Sequence, residues 1–390
     1  MRRINLLHTI ETSGPGGAEN VLLSLVKGLD PERFRSTVVL NRGGWLEERL
    51  RECGADVLRV EWNRWWDLKL PRAMARIIRE REIDLIHSHL PDQNFYSCIA
   101  GRLTGRPVLV TYHGPVELQD ADGLRGSLKL RTVRSTAARV IVVCDFVRHM
   151  LRDIGFPDTK LCRIYNGIRT ERFQQAERGT VRRALQLTDE TPLVGTVGNI
   201  RGPKGQKYFI QAARRVAETI PEAHFVISGD LHPTLAPPLL RLTEEMGLQD
   251  RLHFLGFRAD VPQVIADLDV FVLPSTSEGF PLVVLEAMAS ARAVVATRCG
   301  GAEEMLPSEE LGRLIPVADE QAMAASILEL LRDPGLRTNM GRAARQHCER
   351  NFSIASMISA YEQLYCESVA MPAADAGLVQ STLEGGGGCV

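Results

Sequence analysis

The chain has 390 residues, comfortable for two hydrophobic cores and long for one. Hydrophobic residues at 44% and charged residues at 24% describe a globular protein, and a net charge of −1 excludes a globally basic nucleic-acid binder. No apolar run approaches the ~20 residues that span a bilayer. The eight cysteines (53, 98, 144, 162, 299, 348, 366 and 389) lack paired spacing, so a reduced, cytoplasmic setting is expected and no zinc site is.

Ile4 to Ile10 reads as a first strand and not as an export signal. Glu11 to Glu19, ETSGPGGAE, is a glycine-rich turn, followed by a helix from about 18 to 29 with Val21, Leu22, Leu25 and Val26 on one face. Glycines there let backbone approach a ligand and aim N–H groups at it. A dinucleotide fingerprint fails, because Glu19 stands where the third glycine belongs and Asp30 falls at a helix end. Strands follow at Thr37–Leu40 and Val57–Val60, then Trp62-Asn-Arg-Trp65-Trp66, which holds three of the four tryptophans. Indoles beside arginine suit a membrane interface or a hydrophobic acceptor, or they pack the loop on the helix Pro71–Arg81. Asp84 to His89 is a strand whose alternation puts His87 and His89 on one side, His89 being the candidate for an acceptor-side role. The strand Pro107–Tyr112 delivers His113-Gly114 at its carboxyl end, where cleft chemistry takes place. Leu124 to Arg139 reads as a basic helix, with Arg125, Lys129, Arg131, Arg134 and Arg139 against no acids. It is either a surface for anionic lipid or a solvated face. After the strand Val140–Val143 and the turn Arg163–Arg169, polar composition marks a domain boundary between 170 and 188.

The alternation then restarts. Pro192–Val197 is a strand, and Gly198 to Gly205, GNIRGPKG, puts Arg201 and Lys204 in a glycine-rich turn, a cationic clamp for a diphosphate. Strands are expected at Ala223–Ser228 and Arg251–Val261. Asp267-Leu-Asp269 has a D-x-D spelling but lies at the front of a strand, the wrong end for catalysis, and reads as a chance match. The strand Val270–Leu273 leads into Ser275 to Ala291, the stretch around which the chain is organised. Pro281 suits a first helical turn whose N–H groups bind phosphate. Carboxylates would repel that phosphate, so Glu278 and Glu286 are expected to accept hydrogen bonds from hydroxyls. A nucleotide-sugar carries both chemistries. Helices follow at 319–332, 334–350 and 354–368, and an Ala-, Gly- and Ser-rich tail from about 370 reads as disordered.

Glu278-Gly279-Phe280-Pro281 with Glu286 in LEAMA, Gly16-Gly17-Ala18-Glu19 near the start, the YNGI…F passage and the Gly300-Gly301…Glu304 turn resemble the retaining GT-B glycosyltransferases of family 4. The resemblance runs over residues 1–368. It implies an α/β protein of GT-B fold: two Rossmann-like domains, 1–172 and 187–352, facing across a cleft, with helix 354–368 crossing back to the first. It implies a metal-independent hexosyl transfer, with retention, from a nucleotide-diphospho-sugar to a hydroxyl of a saccharide or lipid-linked acceptor, in bacterial-type surface glycan synthesis. No cofactor, metal or nucleic acid is expected, and contact with the inner membrane face would run through Trp62–Trp66 and Leu124–Arg139. Site residues carried over are His113 against the sugar, Arg201 and Lys204 on the diphosphate, and Glu278 with Gly279 to Leu282 on the sugar. Glu286 would take the ribose, the Phe257-Arg258 loop the base, and Gly16 and Gly17 the donor phosphates. The family has arginine directly after the first glycine of its clamp; here Asn199 takes that place and Arg201 lies two further on. A sugar-nucleotide epimerase of the same fold and a non-catalytic binding subunit are the alternatives.

Overall fold

A computed structural model describes residues 2–62, 69–118 and 123–370. They form two units: Met1–Asn166, which resumes at Ile354, and Gly167–Ser353.

The first unit alternates strand and helix: β1 (Ile4–Ile10), α1 (Gly17–Gly28), β2 (Phe34–Leu40), α2 (Trp45–Glu52), β3 (Asp56–Arg59), α3 (Lys69–Glu80), β4 (Leu85–His89), α4 (Pro91–Thr104), β5 (Val108–Tyr112), α5 (Leu124–Thr136), β6 (Arg139–Val142), α6 (Asp145–Asp153) and β7 (Leu161–Arg163). The seven strands are parallel in the order β3-β2-β1-β4-β5-β6-β7. β4 and β5 are buried at every position, as expected of parallel strands covered on both faces. Asp84 caps the sheet's entry, its carboxylate accepting from the Asn5 N–H at 3.0 Å and pairing with Arg2 at 3.1 Å.

The second unit repeats the pattern: α7 (Glu171–Gln174), α8 (Thr180–Ala184), β8 (Leu193–Val197), α9 (Gln206–Thr219), β9 (His224–Ser228), α10 (Ala236–Glu245), β10 (Leu252–Gly256), α11 (Val261–Asp267), β11 (Val270–Leu273), α12 (Leu282–Ala289), β12 (Ala293–Thr297), α13 (Ala302–Met305), β13 (Arg313–Ile315), α14 (Glu320–Arg332) and α15 (Pro334–Asn351). Its six parallel strands run β10-β9-β8-β11-β12-β13. One face buries Phe209, Val216, Phe225, Ile227, Val272 and Ile327 in a continuous apolar cluster. The last helix, α16 (Ile354–Ala370), belongs to the first unit, where it buries Tyr361 and Tyr365.

Several local expectations shift. Arg139 opens β6 instead of ending a helix, because Thr136 closes α5. The expected strand Arg251–Val261 ends at Gly256, whose φ of +66° turns the chain out of the sheet. α2, α4, α10 and α11 complete crossovers that apolar spacing alone did not mark. Trp62 is buried, its backbone N–H donating to Asn41 Oδ1 at 3.2 Å, whereas Trp65, Trp66 and the tail beyond 370 lie outside the described residues. Among the described residues no helix is long and apolar enough to cross a membrane.

Candidate functional site

Both sheets reverse their winding direction, between β1 and β4 in one and between β8 and β11 in the other. In doubly wound sheets ligands sit beyond the carboxyl ends of the strands at such a switch point.

In the second unit that place belongs to the loops after β8 and β11, which are locked together. Gly205 has φ +66°, and a Cβ there would lie 2.0 Å from Pro274 O, so only glycine permits this approach. The Thr276 N–H donates to Pro203 O at 2.7 Å. Lys204 Nζ, from the first loop, donates to Glu278 Oε1 of the second at 2.7 Å, and Ser275 Oγ donates to the same oxygen at 2.7 Å. The Glu278 N–H in turn donates to Cys299 O at 2.9 Å, and Gly301 comes so near that a Cβ would meet Gly279 O at 2.0 Å. Lys204, Glu278 and Gly279 are therefore one preorganised cluster.

Arg201 lies in the same loop, exposed, and its side chain has no hydrogen-bond or ion-pair partner among the described residues. Asn199 is committed elsewhere: its Oδ1 accepts from the Asp230 N–H at 3.0 Å and ties the β8 turn to the one after β9. Glu286 stands half-buried on α12, and burial pushes its carboxyl up to about 7, opposed by Arg172. Pro281 occupies the cap position, one residue before the first turn in which it was expected, so Leu282 is the first helical residue. Phe280 is buried, with its ring 5.7 Å from that of Phe352, so this side chain serves the core and only its backbone is left for a ligand. After β10, Phe257 is 56% exposed, while Arg258 forks onto Asp260 at 2.8 and 2.5 Å. Asp267 and Asp269, the D-x-D pair, are structural acceptors: Asp267 takes the Val181 and Arg182 N–H groups, and Asp269 takes the Leu193 N–H and the Arg182 guanidinium.

In the first unit the switch point gathers histidines. His8 and His87 are register partners on β1 and β4, and His89 follows two positions on. His87 Nδ1 bonds Tyr365 Oη at 2.6 Å and its Nε2 bonds Thr111 Oγ1 at 2.8 Å; His89 Nδ1 meets His113 Nε2 at 3.0 Å. Burial holds His87 and His89 well below the usual imidazole range, His8 down to about 3 and His113 to about 4. All four are neutral at pH 7, so His113 can offer a hydrogen bond but not a readily lost proton. The rings of His8, His87 and His89 lie close enough to share a metal ion. Yet both His87 nitrogens are taken by hydroxyls, leaving buried His8 Nδ1 and His89 Nε2 as the open ring nitrogens, fewer than the three protein ligands of a catalytic zinc. The residues do not fit a metal centre.

Two carboxyls beside this cluster carried no signal beyond their position in a turn. Glu117 accepts from the His113 and Gly114 N–H groups, and burial pushes it up to about 8. Glu11, after β1, accepts from the Asp92 N–H at 3.1 Å and is raised to about 7 by burial and by the Asp92 charge. Gly16 caps α1, and a Cβ on Gly17 would meet nothing within 4 Å, so packing inside the unit does not require glycine there.

The family model described as Glycosyltransferase Family 4 matches residues 15–172, and that described as Glycosyl transferases group 1 matches residues 191–333. Over 366 residues the chain is 25% identical to the Escherichia coli UDP-Gal:alpha-D-GlcNAc-diphosphoundecaprenol alpha-1,3-galactosyltransferase, covering 90% of this chain and 94% of that one. It is 25% identical to the N-acetyl-alpha-D-glucosaminyl L-malate synthase of Bacillus anthracis, over 77% of this chain and 79% of the other. The fold is that of Anabaena HepE, solved in complex with UDP-glucose, at a TM-score of 0.84 and 22% identity over 94% of this chain and 100% of the other. Sucrose-phosphate synthase from Thermosynechococcus elongatus superposes at 0.79, with 21% identity, over 94% and 99%.

Proposed function

The chain belongs to the GT-B glycosyltransferases of family 4, and on that premise we propose that it transfers a hexosyl unit from a nucleotide-diphospho-sugar to a hydroxyl of a lipid-linked or free saccharide, with retention and without a metal or other cofactor. The observation that carries the reading is the Lys204–Glu278 contact at 2.7 Å, which joins a phosphate-type loop to a hydroxyl-type loop at the switch point. Lys204 is already ion-paired with Glu278, so the unpaired Arg201 supplies the extra positive charge that a departing diphosphate requires. Glu278, with the backbone from Gly279 to Leu282, accepts and orients the sugar, Glu286 accepts the ribose hydroxyls, and the start of the helix after Pro281 takes the diphosphate. His113, whose Nδ1 has no described partner, offers a neutral nitrogen to a substrate hydroxyl.

The acceptor oxygen bonds to the anomeric carbon on the face from which the diphosphate leaves. The bond to the phosphate oxygen breaks, and the acceptor proton passes to that oxygen. The relatives' names support a lipid-linked acceptor: besides the E. coli enzyme, a Campylobacter jejuni N,N'-diacetylbacillosaminyl-diphospho-undecaprenol alpha-1,3-N-acetylgalactosaminyltransferase is 25% identical over 83% of this chain and 89% of its own. Such acceptors lie at a membrane surface. On α5, Leu124 is 91% and Leu128 49% exposed one turn apart on a helix carrying Arg125 and Arg131. That pattern supports peripheral contact with anionic lipid on the cytoplasmic side.

Saturation-transfer NMR against a panel of nucleotide-sugars, followed by product analysis with undecaprenyl-diphosphate saccharides, tests the reading. One donor should bind, Lys204→Ala should cut kcat/KM about 100- to 1,000-fold, and the product should keep the donor's anomeric configuration in the presence of EDTA. A folded chain that binds no nucleotide-sugar overturns the proposal.

A further inference from the structure

The second unit holds another polar cavity, at the opposite end of its sheet from the Lys204–Glu278 cluster. It is a half-open hollow of about 600 Å³ where β11 and β12 begin, under α15. Five guanidinium groups line it, from Arg178, Arg292, Arg337, Arg342 and Arg345, against the two carboxylates of Asp269 and Glu349.

Both carboxylates are already spent. Asp269 takes Arg182 at 2.8 Å, Arg337 at 3.5 Å and the Leu193 N–H at 2.9 Å. Glu349 takes Arg345 at 2.9 Å and Gln174 at 2.6 Å. Arg178, Arg292 and Arg342 have no carboxylate partner among the described residues. Arg178 and Arg342 are exposed and Arg292 is partly buried, and guanidinium charges crowded around one hollow repel one another unless an anion supplies the counter-charge. Arg292, one of the three, is also held in place. Arg292 donates through Nε to Ser290 O at 2.9 Å and through Nη1 to Leu268 O at 3.1 Å. α15 packs so closely on the turn before β12 that a Cβ at Gly341 would lie 2.2 Å from Ala291 O. Burial and the neighbouring Arg178 lower the Arg292 guanidinium to about 10, as a crowd of like charges would.

We propose that this cavity is a second ligand site, for a small soluble molecule carrying two or more phosphate groups. Guanidinium forks match phosphate oxygens in pairs, which a lone ammonium does not. The volume falls in the range of ~300–1,000 Å³ typical of small-molecule sites. A flat basic patch would suit a membrane or an acidic protein; a cavity selects a compact anion. Nothing in the sugar-transfer reading uses these arginines, so the two proposals stand or fall apart.

The test is calorimetric titration of the full chain with inorganic triphosphate at physiological salt. Triphosphate can also enter the donor loops, so Lys204→Ala is run beside the double variant Arg178→Ser/Arg342→Ser, which alters two exposed side chains. The expected result is a binding event that survives Lys204→Ala and weakens at least about tenfold in the double variant, whose melting temperature without ligand stays that of the parent. Arg342→Glu, a single change at an exposed helix position, should weaken it as well. The proposal is overturned if the event disappears in Lys204→Ala and persists in the arginine variants. It is equally overturned if millimolar triphosphate produces no saturable heat, or if the arginine variants lose only the binding of phosphatidylglycerol vesicles.

Discussion

Glu286 shows what burial does to a single group. Its carboxyl ionises near 7 in the folded chain instead of near 4.5, so the folded state favours the protonated form. Between those two values the unfolded chain binds fewer protons than the native one, and the group's stabilising contribution, whole below pH 4.5, is lost as pH rises to 7. On the proposed reading donor binding runs the other way, because a ribose diol would need the carboxylate as acceptor. Nucleotide-sugar affinity should therefore rise between pH 6 and 8 in the parent protein, while Glu286→Gln should bind more weakly and with a flat profile. Equal pH slopes for the two proteins would remove Glu286 from the donor site. The place of Lys204 in a glycine-rich turn after β8 was legible from the sequence. Its pairing with Glu278, seventy-four positions away, was not.

At the scale of elements, β1, β4 and α16 together enclose the histidines. For His8 the folded value near 3 lies below the unfolded 6.5, so its contribution to stability is present above pH 6.5 and is lost as pH falls toward 3. Glu11 and Glu117 act in the opposite sense, which makes a comparison necessary. Taken from pH 6.5 to pH 5, His8→Leu should gain about 2 kcal/mol of stability relative to the parent, at 1.36 kcal/mol per pKa unit. Parallel denaturation midpoints for the two proteins across that range would show that His8 is not the titrating group. α5 makes a separate prediction. Leu124→Ser/Leu128→Ser removes the two exposed apolar side chains of a basic helix. It should reduce cosedimentation with phosphatidylglycerol vesicles several-fold and leave activity on a water-soluble acceptor analogue unchanged; undiminished vesicle binding would exclude α5 as the contact. The sequence marked this helix through its cations, yet Lys129 is tied to Asp92 of α4, and Arg134 reaches Gly155 O at 3.4 Å. The charge run is partly spent inside the unit, and the exposed leucines are the more telling feature.

At the scale of the whole molecule, the chain leaves the first unit after Asn166 and returns to it at Ile354. The second unit is thus a continuous segment with its own sheet and core, and residues 167–353 produced alone should melt cooperatively. That fragment should bind the donor within about tenfold of the full chain and transfer no sugar. Loss of cooperative melting would show that its core depends on the rest of the chain. A chain stopped after Ser353 lacks Tyr361 and Tyr365, both fully buried against the histidine strands, and its first unit should fail to fold. By itself the sequence determined the repeated βα alternation, the two glycine-rich turns, the position of Lys204 and Glu278 in their loops and the family, because these are local patterns of apolar spacing, turn chemistry and motif. Only the tertiary structure decided which groups are charged and which are paired: Tyr365 on His87, Asn199 on the β9 turn, Phe280 in the core, and the five arginines drawn together from positions 178 to 345. Burial and pairing arise from contacts between residues far apart in the chain, and no window of sequence contains both partners.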